Sequence, residues 1–164
     1  MKKLILLISL TIFVLICSKS FAQTTKINFG IKYQIKSLNY EYVDDVQNHK
    51  MGVAQGTGFA YMKDGSYANV SVSFIFDYID GAGSFIENYV ILFSDSSKIS
   101  IKAEGNSFGN ETDPLFSAKV TIMYGTGIYE GIKGSGKMSG NRRSQLDDKA
   151  TVNLSFDLEY KLKN

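Results

Sequence analysis

Hydrophobic and polar residues alternate with a period of two over most of the chain from residue 26 to residue 162. In the segment KINFGIKYQIK, residues 26–36, isoleucine, phenylalanine and tyrosine occupy every second position, while lysine, asparagine and glutamine occupy most positions between them. The segment 151–162 repeats this pattern. Because successive side chains of a strand point to opposite faces, each segment is predicted to be a strand with one buried face and one wet face.

The rest of the chain predicts further strands of the same kind. They cover 53–62, 68–79, 85–93, 98–104 and 116–124, with a strand pair in the glycine-rich segment that follows. Polar turns separate them, among them KDGS with its hairpin-forming Asp-Gly pair, and the ten residues before Leu115 are predicted to form a long loop. About eight strands at regular spacing favour an antiparallel sandwich or barrel.

The two terminal strands decide between these architectures. In an open sheet the first and last strands would be exposed edges, which invite aggregation. Pairing residues 26–36 with residues 151–162 removes both edges. We therefore predict an all-β fold, a closed antiparallel eight-stranded barrel, with a sandwich as the alternative.

The segment YGTGIYEGIKGSGKMSG, residues 124–140, contains six of the fifteen glycines. It lacks the Gly-x-Gly-x-x-Gly spacing and the following helix of a dinucleotide site, and Met138 stands where a phosphate loop needs serine or threonine. Its apolar residues argue against a flexible linker. Two structural roles remain: a turn or bulge, and tight coiling of a strand around a small barrel. The first role is predicted for Gly125 and Gly127, the second for Gly131, Gly134, Gly136 and Gly140.

This glycine-rich segment resembles the motif GGTGxYxGxxGxG of the allene oxide cyclase and dirigent barrel superfamily, with Tyr124 in place of the first glycine. The strand-turn-strand of residues 91–105 resembles the same group, so that the resemblance covers about residues 85–162. It implies an eight-stranded barrel with an apolar lumen, which in the named relatives binds oxylipins or phenolic radicals. It also implies a dimer or trimer. The resemblance covers the structural half of that group's pattern, so it assigns no catalytic residue to this chain.

The N-terminal residues predict an export signal. Lys2 and Lys3 precede an apolar run over residues 4–17, and Ser20-Phe21-Ala22 forms a small-x-small cleavage site. The run is shorter than the roughly 18 apolar residues of a membrane span, so no stable membrane anchor is expected. A lipoprotein acylated at Cys17 is the alternative, although Ile16 is larger than such signals prefer. We predict a signal peptide over 1–22, a single barrel domain over 23–164, and a periplasmic or extracellular location.

Charge and residue usage exclude several function classes. Three of the 18 basic residues lie in the signal, which leaves 15 against 16 acidic residues and argues against a nucleic-acid partner. Cys17, the only cysteine, also lies in the signal, so residues 23–164 contain no thiolate nucleophile or ligand. His49, the only histidine, is predicted to be a solvated loop residue. We expect no metal and no cofactor.

Inward-facing polar groups are the candidate site residues. Tyr33, Tyr78 and Tyr160 lie on the apolar faces of their strands and are candidate ligand-binding residues, with core tyrosines as the alternative. Glu87 shares a face with aromatic residues, and burial there would raise its pKa and suit it to general acid or base catalysis. The opposite face of its strand is equally apolar, so a solvated Glu87 is the alternative.

Two functions follow from the sequence. The first is an exported barrel that binds a small apolar ligand in its lumen or presents its surface to a partner. The second is a cofactor-independent isomerase or cyclase resembling allene oxide cyclase, or a dirigent-like guide that steers a reactive intermediate by the shape of the lumen. An open lumen with a convergent polar group would favour ligand binding, and an aromatic plug would favour a structural role.

Overall fold

A computed structural model describes residues 24–162, which form one closed antiparallel β-barrel. Each strand pairs with its neighbours in the sequence, and the eighth pairs with the first. The strands are β1 (Thr25–Tyr42), β2 (His49–Met62), β3 (Tyr67–Ile79), β4 (Ala82–Leu92), β5 (Lys98–Phe108), β6 (Leu115–Thr126), β7 (Lys133–Arg142) and β8 (Thr151–Lys161).

The predicted closure is confirmed. The β1 and β8 strands pair from Thr25 opposite Tyr160 to Gln34 opposite Thr151, so the segments with the clearest alternation seal the barrel. The sandwich alternative is wrong. The predicted signal peptide falls outside the described residues, and within 24–162 no helix is long and apolar enough to cross a lipid bilayer.

We call the end of the barrel where β1 begins and β8 ends the lower end. It also holds the turns 63–66 and 93–97, and the segment 127–132 between β6 and β7. The upper end holds the connections 43–48, 80–81, 109–114 and 143–150.

Three strands, β1, β2 and β5, are at least four residues longer than the sequence predicts. A β-bulge between Ile35 and Ser37 shifts the alternation of β1, which continues to Tyr42 although the simple pattern stops at residue 36. The predicted loop 105–114 is wrong in its first half, because β5 continues to Phe108. Ser107 occupies an inward position there, buried, and its hydroxyl donates to the carbonyl of Gly81 at 2.6 Å.

The interior is filled by the inward aromatic and aliphatic side chains of the strands. Phe29 of β1 and Phe156 of β8 stack with ring centroids 5.0 Å apart, and Tyr89 of β4 meets Phe156 edge-on at 5.3 Å. Outside, the walls differ. The outward face of β5 carries three charged residues, Lys98, Lys102 and Glu104. The outward side chains of β2, β3 and β4 between residues 51 and 92 include one charged residue, Asp77.

The glycines predicted to bend the chain occupy the two kinds of position expected, with one exception: Gly131, predicted for a tightly coiled strand, lies in the turn before β7. Gly127 begins the short 3-10 turn Gly127–Tyr129 and Gly131 follows it, with φ angles of +63° and +73°. The other four, Gly125, Gly134, Gly136 and Gly140, lie where a Cβ would approach a backbone oxygen to 2.3 Å or less. At Gly136 a Cβ would lie 2.0 Å from the carbonyl oxygen of Asp157 on the paired strand β8.

Candidate functional site

The lower end of the barrel opens into an apolar cavity of about 270 Å³. Its walls come from side chains of six strands, among them Ile27, Met62, Ile91, Ile101, Ile122 and Leu158. Polar groups are few: Asp64 and Ser66 come from the β2–β3 turn, and the tyrosines 129 and 160 contribute rings with one hydroxyl each. A cavity with these walls accepts a compact apolar molecule and offers it a few hydrogen bonds.

Aromatic packing shapes this cavity. Tyr129, in the segment that follows the GTG turn, packs against Phe93 with ring centroids 4.8 Å apart. Phe29 also lines the cavity and stacks on Phe156. The rings of Phe29, Phe156 and Tyr89 form a continuous contact, which links the cavity wall to the polar cluster in the middle of the barrel.

Glu87 lies at the centre of that polar cluster. Its carboxyl group is buried, with the residue 7% exposed, among inward side chains near the middle of β4. The hydroxyl of Tyr33 donates to Oε1 at 3.0 Å, and the hydroxyl of Tyr89 donates to Oε2. The alternative of a solvated Glu87 on the outer wall is therefore wrong.

Burial controls the protonation of this cluster. It raises the pKa of Glu87 to about 7, because a charged carboxylate loses its hydration there, while the hydrogen bonds from Tyr89 and Tyr33 lower the pKa. The pKa values of Tyr33 and Tyr89 are raised well above the usual range, first by burial and then by the neighbouring carboxylate. Glu87 thus exchanges its proton near neutral pH while the tyrosines remain hydrogen-bond donors.

The three predicted tyrosines do not form one site. Tyr160 is half-buried near the end of β8 and lines the lower cavity. Tyr33 is buried in the middle of β1, and its hydroxyl already donates a hydrogen bond to Glu87. Tyr78 is buried near the end of β3, at the upper end of the barrel. Of the three, only Tyr160 is placed to contact a molecule in the lower cavity, and the ligand-binding role of each stays a prediction.

The solvated-loop prediction for His49 is wrong. His49 begins β2 and is 8% exposed, because the β1–β2 connection folds over it. Its Nδ1 lies 2.6 Å from an oxygen of Asp45 and its Nε2 lies 2.6 Å from an oxygen of Asp77. The two carboxylates raise the pKa of His49, Asp45 contributing more, since both nitrogens can donate only in the charged ring. No group of three metal-ligating side chains occurs within residues 24–162.

Sequence reasoning missed three polar residues of the interior. Tyr89 was visible as a neighbour of Glu87 on the same face, but its hydrogen bond was not foreseen. Tyr129 belongs to the glycine motif, which indicated backbone geometry rather than side chains. Arg142 continues the inward series of β7 two positions after Gly140, and this alternation alone places it inside, where it is 2% exposed.

Comparison with known proteins supports the fold. No family model matches the chain, and no curated protein matches it. A solved pterocarpan synthase dirigent protein, GePTS1, has 13% sequence identity and a TM-score of 0.51, with 88% of this chain and 94% of that chain covered. The chain is similar in fold to dirigent proteins. The resemblance inferred from the glycine motif is thus confirmed at the level of the barrel.

Two further solved structures match this chain over most of its length. The pterocarpan synthase dirigent protein PsPTS1 has 16% identity and a TM-score of 0.48, covering 87% of this chain and 97% of its own. A protein of unknown function from Clostridium acetobutylicum also has 16% identity and a TM-score of 0.48, covering 86% of this chain and 99% of its own.

Proposed function

We propose that this protein binds a small apolar molecule in the lower cavity of its barrel. The observation that carries the proposal is the cavity itself, about 270 Å³ of space with apolar walls and a few polar groups. A barrel of eight strands either fills its interior with side chains or holds one small ligand. Here the middle is filled and the lower end is not. The volume lies just below the range of about 300–1,000 Å³ typical of ligand pockets, which favours a compact ligand.

The lining explains what the cavity would select. When an apolar ligand enters, water leaves the apolar walls, and this favours binding by roughly 25 cal/mol per Å² of buried apolar area. The Tyr160 and Tyr129 side chains and the Ser66 hydroxyl can orient one polar substituent of the ligand. The Asp64 carboxylate disfavours an anion near the β2–β3 turn. A neutral aromatic or branched aliphatic molecule fits these constraints.

A neutral fluorescent probe, N-phenyl-1-naphthylamine, tests this proposal. We expect its fluorescence to increase on binding to the parent protein. The substitution Ile99→Trp fills part of the cavity and should weaken binding about tenfold or more, since a misfit of even one methylene in an apolar pocket is worth about 1–3 kcal/mol of binding free energy. Thr121→Trp places the same ring on an exposed position of β6 and should leave the affinity unchanged. Equal binding by both variants, or none by the parent, would contradict the proposal.

A second candidate is a stereochemical guide or cofactor-independent isomerase, favoured by the dirigent-like fold and by Glu87. A carboxyl group with a pKa of about 7 suits proton transfer at neutral pH. Both of its oxygens, however, already accept hydrogen bonds from Tyr33 and Tyr89, and it does not line the lower cavity. Binding without acid-base chemistry by Glu87 therefore has the better support.

Export and self-association belong to the same proposal. Cleavage after Ala22 predicts that protein purified from its source begins at Gln23, which intact-mass measurement would establish; a mass that includes residues 1–22 would contradict it. The dimer or trimer implied by the resemblance stays a prediction. Native mass spectrometry of the same preparation would give the subunit number and any retained small molecule together.

A further inference from the structure

The outer wall of the barrel carries an open groove of about 690 Å³ across strands β8, β1, β2 and β3. Its side chains include two lysines, two outward aromatic rings, and uncharged hydroxyl or amide groups on Gln34, Thr57, Asn69, Ser71 and Thr151. None of the described residues that line it carries a carboxylate. The groove shares no lining residue with the lower cavity, and its volume lies within the range of about 300–1,000 Å³ typical of ligand sites.

The aromatic rings of this groove are exposed to water. Phe59 and Tyr61 occupy alternate, outward positions of β2 and are 42% and 49% exposed. Tyr67 of β3 meets Phe59 edge-on, with ring centroids 5.9 Å apart. The residue opposite Tyr61 on β1 is Gly30, which has no side chain to cover that ring. A ligand with an apolar face would therefore gain free energy by covering these rings.

The two lysines of the groove form no ion pair with any residue between 24 and 162. The ammonium group of Lys36 donates instead to the side-chain oxygen of Gln34, which lines the same groove. Lys32 lies on the exposed face of β1, two positions before Gln34. Two positive charges in a groove without a carboxylate favour an anionic ligand.

The strand register places a cation, an aromatic ring and an amide side by side. Lys32 on β1 lies directly opposite Phe59 on β2, and Phe59 lies directly opposite Asn69 on β3. Because neighbouring strands are about 4.8 Å apart, the backbones at the two ends of this row are about 10 Å apart. The next outward row is polar and consists of Gln34, Thr57 and Ser71. A ring that covers Phe59 thus has a positive charge beside one edge and an amide beside the other.

We propose that this groove binds an acidic oligosaccharide, a chain of uronic acid residues. A sugar ring presents a face of C–H groups, which packs on an aromatic ring, and an edge of hydroxyl groups, which hydroxyl and amide side chains can bind. In a uronic acid the carboxylate lies at that edge, within reach of Lys32. A single-stranded nucleic acid also stacks on aromatic rings, but the grooves that bind it are strongly basic, whereas this one contains two lysines. The site is independent of the proposed function.

Trigalacturonate, a chain of three uronic acids, tests the proposal. In an NMR titration of the ¹⁵N-labelled protein, we expect it to shift the backbone amide signals of residues 57–61 and 69–71 and to leave those of β6 unchanged. Its methyl ester keeps the rings and hydroxyl groups but removes the charges, and it should bind about threefold more weakly, since ion pairs at exposed lysines contribute modestly. A deoxythymidine tetranucleotide carries as many phosphates as trigalacturonate has carboxylates, and it should bind more weakly than trigalacturonate.

Matched substitutions complete the test. Phe59→Ala should weaken trigalacturonate binding about tenfold, because its ring supplies the apolar contact, and Lys32→Gln should weaken it about threefold. Phe108→Ala on β5 and Lys119→Gln on β6 make the same changes at exposed positions outside the groove and should leave binding unchanged. If Phe59→Ala fails to fold, the comparison of Lys32→Gln with Lys119→Gln provides the answer.

Three results would each overturn the proposal. The first is the absence of shifts in residues 57–61 and 69–71 at about 10 mM trigalacturonate, where a site with a Kd near 1 mM is mostly filled. The second is equal affinity of each groove variant and its matched control. The third is binding of the tetranucleotide at least as tight as that of trigalacturonate, which would assign the groove to nucleic acid instead.

Discussion

Between pH 5 and pH 8 the protein should lose stability, and Glu87→Gln should remove most of that loss. The pKa of Glu87 is about 7 in the folded barrel against 4.5 for the free side chain. As the pH rises, the unfolded chain releases this proton at a lower pH than the folded chain does. The protonated group therefore stabilises the fold fully below about pH 4.5 and progressively less as the pH rises toward 7. The difference corresponds to about 3 kcal/mol of unfolding free energy.

Urea denaturation of the parent and the Gln variant at several pH values measures this effect. At pH 5 the two should have similar stability, since glutamine resembles a protonated glutamate. At pH 8 Glu87→Gln should be the more stable protein. His49 acts in the same direction, because its raised pKa gives stability that is present below about pH 6.5 and is lost as the pH rises through the folded value. The pH dependence that comes from His49 should remain in Glu87→Gln.

The control is Glu104→Gln, on the exposed face of β5. This variant should keep the pH profile of the parent. The interpretation of Glu87 fails if its Gln variant also keeps that profile, or if the parent is more stable at pH 8 than at pH 5.

Gly136→Ala should destabilise the barrel severely, whereas Gly30→Ala should not. The added Cβ at Gly136 would lie 2.0 Å from the carbonyl oxygen of Asp157 and 2.8 Å from Leu158, on a strand held from both sides. Backbone atoms cannot move apart this far without a large energetic cost. We therefore expect the free energy of unfolding to fall by about 3 kcal/mol or more, or the variant not to fold. At Gly30 the nearest atom would lie 3.6 Å away, in ordinary contact.

The Gly30 variant should be neutral or stabilised by up to about 1 kcal/mol, because alanine reduces the freedom of the unfolded chain. Thermal unfolding followed by circular dichroism compares the two substitutions in the same background. A Gly136→Ala protein that melts within a few degrees of the parent would show that β7 shifts to accommodate the methyl group. The tight coiling assigned to this strand would then be wrong.

The sequence predicted those features of the barrel that rest on regular alternation. The β1 and β8 strands alternate without interruption where they pair, so closure could be inferred. The bulge after Ile35 breaks the parity of β1, and the inward positions 105 and 107 of β5 carry glycine and serine instead of apolar side chains. Because of these two features, a search for alternating hydrophobic residues does not recognise the ends of β1 and β5 as strand.

The candidate site was harder to predict, for physical reasons. Glu87 could not be assigned to a face, because the outer wall of β4 is itself apolar at Ile86, Val90 and Leu92. His49 looked solvated because its two carboxylate partners come from different segments, the β1–β2 connection and β3, which only the fold brings together. The lower cavity depends on where six strands leave space between their side chains, and this cannot be read from any one strand.

Closure of the sheet also limits how copies of this protein could assemble. Every strand has a neighbour on both sides over most of its length, so the barrel has no complete edge strand along which another strand could add. Contacts between molecules would therefore rely mainly on side chains. Between residues 51 and 92, the outward side chains of β2, β3 and β4 include one charged residue, Asp77. Contacts through these walls would therefore remove almost no charge from water.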